Sequence, residues 1–421
     1  MSTVTPARRV AYAVIRRVFE EDAYADRALH GEAQGIDPRE RSLAMQLAYG
    51  TVQRRRTLDH VIEQLARPVA ELDAQTVAAL RLGLYQLMFL DGIAAHAVVG
   101  ESVELAKGGR SGGHKLVNAV LRRAARGELP ALPSDETPGG AAIAHSYPLW
   151  IVELWWERFG ADETRALLRA GNERGELALR INTLRSSVGA VANELAVATP
   201  PVATLPAGDE LPEGLVVEGA FDAHAHRLWR DGAYTAQSRG SMLVARTLDP
   251  QPGERVLDLC AAPGGKTTHL AALMGNEGQI VAVERHAGRA RALARTCERL
   301  GASIVEVRMA DAASFAGDER FDRVLVDPPC SGLGTLQGHP DLRWRMTPAA
   351  IERLASAQRA ILAAARGALA PGGRLVYSTC TLSAAENESQ LAAIGLQVES
   401  ERLVLPHRDR TDGFYIARLS S

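Results

Sequence analysis

Leu257-Asp258-Leu259-Cys260-Ala261-Ala262-Pro263-Gly264-Gly265-Lys266-Thr267 joins an apolar run to a helix through a glycine-rich turn. The run it closes, Arg255–Leu259, reads as a buried strand. Such a turn lets a ligand approach the backbone closely and aims helix N–H groups at an acidic moiety. A triphosphate loop needs a glycine separated by four residues from its closing Gly-Lys-Thr, and Cys260 stands there. The dinucleotide fingerprint G-x-G-x-x-G is absent as well. Glu284 ends the next apolar run, 20 residues after Gly264, where a carboxylate can accept from two ribose hydroxyls. Asp311 follows the third run, in reach of an adenine amino group. A nucleoside without a polyphosphate chain fits, and S-adenosylmethionine is the natural candidate.

Outward from the turn, strand and helix alternate. Arg255–Leu259, Gln279–Glu284, Ile304–Met309, Arg323–Asp327 and Arg374–Ser378 are expected strands, with helices over Ala287–Leu300 and Pro348–Leu369. That order predicts a parallel sheet covered on both faces. Two late runs, Gln397–Leu405 and Phe414–Leu419, read as a hairpin edge.

Two thiols follow strands of this sheet: Cys330 in Asp327-Pro328-Pro329-Cys330-Ser331-Gly332, and Cys380 in Ser378-Thr379-Cys380-Thr381. Ligands of open α/β sheets gather at the strands' carboxyl ends, so both thiols are expected to share the crevice of the glycine turn. Enzymes that methylate base amino groups commonly follow Asp-Pro-Pro with an aromatic residue, and cysteine replaces it here. Cytosine C5 is a poor nucleophile. A thiolate adding at C6 makes C5 an enamine carbon that can attack a sulfonium methyl, and an acid at N3, here Asp327, helps the addition. The residues alone leave open which thiol attacks. Cys260 and Cys297 read as packing groups.

A chain of 421 residues predicts two or three domains. Four cysteines suit reduced thiols in a cytoplasmic protein rather than a disulfide framework. The opening stretch from Met1 carries no signal-like apolar core, no run is long enough to cross a membrane, and no metal site is called for. A formal net charge of −2 argues against a uniformly basic surface, yet a local basic face remains open. Only three of the 48 basic residues are lysines, and Lys266 is the one that follows Lys115.

Residues 1–133 read as all-helical, with 18 basic against 15 acidic residues and clusters at Arg8-Arg9, Arg16-Arg17, Arg54-Arg55-Arg56 and Arg122-Arg123. Residues 134–235 hold the end of a linker and a small α+β segment. Its helices are expected from Trp150 to Phe159 and over Val188–Leu195, with strands at Leu177–Ile181, Gly214–Glu218 and Arg227–Trp229. Residues 236–421 form the α/β part.

The residues Cys260–Lys266, Asp327–Gly332, Ser378–Cys380 and Glu386-Asn387-Glu388 resemble the motifs of bacterial RNA cytosine-C5 methyltransferases of the Sun/Fmu family. Lys115–Arg123 resembles the last helices of a NusB-like domain. The resemblance spans nearly the whole chain. It implies an all-α NusB-like domain, a small RRM-like α+β segment and a Rossmann-like catalytic domain. It also implies small-subunit (16S) ribosomal RNA as substrate, no membrane, and a monomer without an obligate protein partner. By it Cys380 is the nucleophile and Cys330 assists release. The cofactor contacts would be Cys260, Ala261, Ala262, Pro263, Gly264, Gly265, Lys266, Glu284, Asp311 and Asp327. Two positions depart from the pattern: Ser238 follows Gln237 where an acidic residue is usual, and Glu284 replaces a common Asp. A base amino-methyltransferase and a catalytically silent RNA-binding assembly factor are the competing readings. The arginine clusters of residues 8–56, the α+β segment and the loop His339–Trp344 are expected to contact RNA, with Arg343 on a phosphate and Trp344 stacked on a base.

Overall fold

Helix starts are written into the sequence by short polar side chains. Asp37 accepts from the Arg39 N–H at the start of Pro38–Gln53, Asp73 from Thr76 at the start of Ala74–Phe89, and Thr347 from Ala350 at the start of Pro348–Ala368. The computed structural model describes residues 4–109, 112–219, 221–315, 319–392 and 394–421, so Met1, Ser2 and Thr3 of the opening stretch lie outside it. Compactness divides the chain into Met1–Glu173 with Leu336–Met346, and Arg174–Thr335 with Thr347–Ser421.

The first unit is helical. Ala74–Phe89 is apolar on nearly every face and is buried from Thr76 to Gln86, which makes it the central helix. Pro6–Glu20, Pro38–Gln53 and Gly113–Ala125 pack on it. Gly50 permits the closest approach, since a Cβ there would fall 2.0 Å from the Tyr85 ring. The stretch read as linker contains a helix, Pro138–Ala144, capped by Thr137. Its Gly-Gly-Ala composition hides it from any periodicity argument. This helix, Leu149–Phe159 and Ala161–Ala170 group with the N-terminal helices, so the compact unit runs past residue 133.

The second unit holds two sheets. The smaller contains β1 (Leu177–Ile181), β2 (Thr204–Pro206), β3 (Gly214–Val217) and β4 (Tyr234–Ala236) in the order β2-β3-β1-β4, all antiparallel. The expected strand at Arg227–Trp229 is a short helix, Arg227–Arg230, in which the His226 ring accepts from the Leu228 N–H. Three residues are too few for alternation to separate strand from turn, and β4, equally short, went unread for the same reason.

The larger sheet comprises β5 (Arg255–Leu259), β6 (Gln279–Val283), β7 (Val305–Arg308), β8 (Phe321–Val326), β9 (Leu369–Thr379), β10 (Gln397–Val404) and β11 (Phe414–Ser420). Its order is β10-β11-β9-β8-β5-β6-β7, with β9 to β7 parallel and the last two strands antiparallel. The buried runs of β5, β6 and β8 are apolar throughout except Asp258, as strands covered on both faces must be. Strand order reverses between β5 and β8. Four residues stand immediately after four adjacent parallel strands: Glu284 (β6), Cys260 (β5), Asp327 (β8) and Cys380 (β9).

Candidate active site

A cavity of about 500 Å³ opens at that carboxyl edge. Of the residues singled out in the sequence, Cys260, Ala262, Glu284, Asp311, Asp327, Cys330 and Cys380 line it, whereas Ala261, Pro263, Gly264, Gly265 and Lys266 are not among its lining residues. The glycine turn contributes Cys260 and Ala262 to the lining. Cys260 adopts φ +74, a conformation costly for a side-chain-bearing residue, and Gly264 adopts φ +105. The Gly264 N–H donates to the Ala261 carbonyl at 2.9 Å, and the Thr267 hydroxyl donates to buried Asp258 at 2.6 Å. Burial pushes Asp258 up to about 7.

Glu284 is 4% exposed, and its Oε1 accepts from the His286 N–H at 2.8 Å. Arg289 lies 3.3 Å from its Oε2 and donates to the Ala262 carbonyl at 2.8 Å. That arginine escaped the sequence reading, although its place in the first turn of helix Ala287–Leu300 put it within reach. Asp311 accepts from the Ala313 N–H at 3.0 Å. Leu354, Ala357 and Ile361 of helix Pro348–Ala368 supply the apolar wall. A carboxylate at one end, an apolar wall and close-packed backbone suit a nucleoside cofactor.

Asp327 is held by two donors, Lys266 at 2.7 Å and the Ser378 hydroxyl at 3.0 Å. Burial opposes the charge of Lys266, but the neighbouring Asp327 carboxylate pushes its pKa up. Lys266 therefore reaches across to the acid of the Asp-Pro-Pro motif.

All four cysteines are free. Cys260 and Cys297 are pushed up to about 12, chiefly by burial, which leaves them inert at neutral pH. The Cys330 and Cys380 sulfurs lie 3.3 Å apart. The Cys330 thiol is held well above the usual thiol range, first by its hydrogen bond to Cys380 and then by burial. Among the described residues, no group of three or more His, Cys, Asp or Glu is placed to hold a metal.

The expected RNA contacts fare differently. Arg343 is fully buried in the first unit. It donates to the carbonyls of Ser146 (3.0 Å) and Gly171 (3.1 Å), and its guanidinium lies 4.0 Å from the Tyr147 ring centre. Trp344 donates to the Val52 carbonyl at 2.7 Å. Packing, not an RNA-facing loop, is the role of this segment. Arg8 is buried against Gln86 and Glu101, Arg54 stacks on Phe89, and Arg55 stacks on Phe19 and Trp344. Arg9, Arg122 and Arg123 remain exposed.

A mostly parallel sheet with this cavity at its switch point defines a Rossmann-like methyltransferase. The model of the 16S rRNA methyltransferase RsmB/F family matches residues 245–401, that of the NusB family residues 5–126, and that of the RsmF/B-like ferredoxin-like domain residues 147–224. A probable ribosomal RNA small subunit methyltransferase B of Synechocystis is 39% identical, covering 98% of this chain and 99% of its own. The ribosomal RNA small subunit methyltransferase B of Vibrio cholerae is 32% identical, with 98% and 97% covered. The solved structure of PH0851 superposes with a TM-score of 0.83 at 26% identity over 100% of both chains. The chain belongs to the ribosomal RNA small subunit methyltransferase B family, and its cofactor is S-adenosylmethionine. Among the described residues, no helix is long and apolar enough to cross a membrane.

Proposed function

We propose that this protein methylates C5 of a cytosine in small-subunit ribosomal RNA through a covalent bond between Cys380 and C6 of the base. Residues 1–133 and 134–235 act as RNA-binding parts and 236–421 as the catalytic part, in a cytoplasmic monomer. The observation that carries this reading is the pair of free thiols 3.3 Å apart on the wall of the cofactor cavity that also holds Asp327. Nitrogen methylation calls for an aromatic residue after the Asp-Pro-Pro motif, and nothing in it calls for two thiols.

S-adenosylmethionine, when bound, supplies an electrophilic methyl group. The hydrogen bond to Cys380 and then burial hold the Cys330 thiol well above the usual thiol range, and the Cys380 sulfur that attacks lies 3.3 Å from it. Cys380, its proton given up to solvent, adds to C6 as a thiolate, forming a C–S bond and moving an electron pair toward C5, which takes the methyl group as the methyl–sulfonium bond breaks and a neutral thioether leaves. Asp327 assists at N3 by relaying a proton from the Lys266 ammonium 2.7 Å away as the ring gains charge. Once methyl transfer is complete, Cys330 gives its own proton to solvent and the resulting thiolate takes the C5 proton. The returning electron pair then breaks the C6–S bond and frees Cys380.

The test incubates Cys380→Ala and Cys330→Ala with unmodified small-subunit RNA and labelled cofactor. Cys380→Ala abolishes transfer. Cys330→Ala accumulates an RNA–protein adduct that survives denaturing electrophoresis. Full transfer by Cys380→Ala would falsify the assignment.

A further inference from the structure

Glu386 lies behind the two thiols, fully buried and outside the cavity lining. Its Oε1 accepts from the Ser331 N–H at 2.8 Å and from Gln358 at 3.2 Å. Its Oε2 accepts from the Ser331 hydroxyl at 2.5 Å and the Thr381 hydroxyl at 3.3 Å. Ser331 follows Cys330, and Thr381 follows Cys380. The two hydroxyls also meet each other at 2.6 Å. Gln358 donates to the carbonyl of Pro329, the residue before Cys330, at 2.9 Å. Asn387 completes the pattern: it accepts from the Thr379 hydroxyl at 2.5 Å and donates to the Thr381 carbonyl at 3.0 Å. The Tyr377 hydroxyl donates to the Glu386 carbonyl at 2.6 Å. Residues on both sides of each cysteine are thus tied to Glu386 or to a residue in contact with it.

We propose that Glu386 is a positioning residue whose carboxylate sets the separation of the Cys330 and Cys380 sulfurs by clamping the chain just beyond each. The residue touches neither sulfur, so it acts through Ser331 and Thr381. A carboxylate is suited to this because it accepts from several donors at once, whereas loss of the side chain leaves the Ser331 N–H buried without its acceptor. The catalytic consequence rests on the methylation reading above. The geometric claim does not.

The experiment has two arms on the full-length protein. The first uses dibromobimane, which fluoresces strongly only when two nearby thiols each displace a bromide. The wild type becomes bridged, and Cys330→Ala is the blank. Glu386→Ala is expected to slow bridging by at least about tenfold, because misplacement by about 1 Å is enough to spoil a two-point reaction. The second arm measures methyl transfer. In Glu386→Ala, kcat falls by about a hundredfold while the KM for cofactor changes by less than about twofold, since Cys260–Lys266 and Glu284 are untouched. Glu386→Gln keeps an acceptor for the Ser331 N–H and restores both readouts to within about fivefold. Glu386→Asp, a methylene short, restores neither. Circular dichroism checks folding, and if Glu386→Ala does not fold, Ser331→Ala removes only the hydroxyl tether and is expected to slow bridging in the same direction. Wild-type bridging and kcat in a folded Glu386→Ala or Ser331→Ala overturn the proposal. A wild type that bridges but methylates no RNA instead overturns the methylation reading and leaves the bridging comparison intact.

Discussion

Lys266→Met, Asp327→Asn and the double variant form a cycle that measures how firmly Asp327 is held. The ion pair spans 2.7 Å, with side chains 14% and 28% exposed. At an effective dielectric constant near 20 the gross attraction is about 6 kcal/mol. Taking both groups partly out of water cancels roughly half of that or more, and the exposure of Asp327 screens the remainder. The net coupling is therefore expected at about 2 kcal/mol. Methionine preserves most of the lysine stem, and asparagine keeps a neutral hydrogen bond, so the cycle isolates charge rather than packing. Lys266→Met alone also loses the cation over the Phe414 ring, 5.2 Å from its centre, worth about 0.5–1 kcal/mol. Equilibrium urea denaturation of the four proteins, at constant m, gives the coupling. Repeating it in about 0.5 M salt is expected to remove less than half, because a partly buried pair is weakly screened. A coupling below about 0.5 kcal/mol would refute the idea that Lys266 anchors Asp327, and with it the role given to the ammonium during addition.

Three further outcomes follow from the geometry. The folded protein keeps a proton on Asp258 up to about pH 7, while an unfolded Asp loses it near pH 4. The native state therefore holds the extra proton in this window, wild-type stability falls as pH rises through it, and Asp258→Asn escapes the fall. Between pH 5.5 and 7 the variant should gain about 2 kcal/mol on the wild type, and parallel urea-stability curves would count against a buried, protonated Asp258. Gly264→Ala places a Cβ 2.8 Å from Leu293 at φ +105, so melting should drop by several degrees and calorimetric affinity for S-adenosylmethionine should weaken. Arg343→Ala strips donors from the Ser146 and Gly171 carbonyls, a loss of about 3 kcal/mol that appears in thermal melting. If instead melting is unchanged and RNA binding loses salt dependence, Arg343 is a phosphate contact after all.

What could be read in advance divides along a physical line. Backbone-local features were legible: β5, β6, β8 and the second half of β9 are mostly apolar runs, and the residue after each is fixed on the carboxyl edge by strand geometry alone. Cys260, Glu284, Asp327 and Cys380 could therefore be assigned to one crevice before any coordinates. Side-chain partnership was not legible, because it is decided by chain closure over long separations. Glu386 meets Ser331 across 55 residues, and Arg343 meets Gly171 across 172. A sequence offers the same Arg whether it faces solvent, stacks on Phe89 as Arg54 does, or fills a core as Arg343 does. In a chain that uses arginine almost to the exclusion of lysine, the usual inference from a basic cluster to an anionic partner is weakened further, since core and surface draw on one residue type. The two thiols are the sharpest case. As strand-end cysteines they are equivalent, and family resemblance was needed to rank them. In the fold the two sulfurs share one contact at 3.3 Å, and it is the first cause that holds the Cys330 thiol above the usual range. That coupling is a property of the pair, so no reading of either cysteine alone contains it.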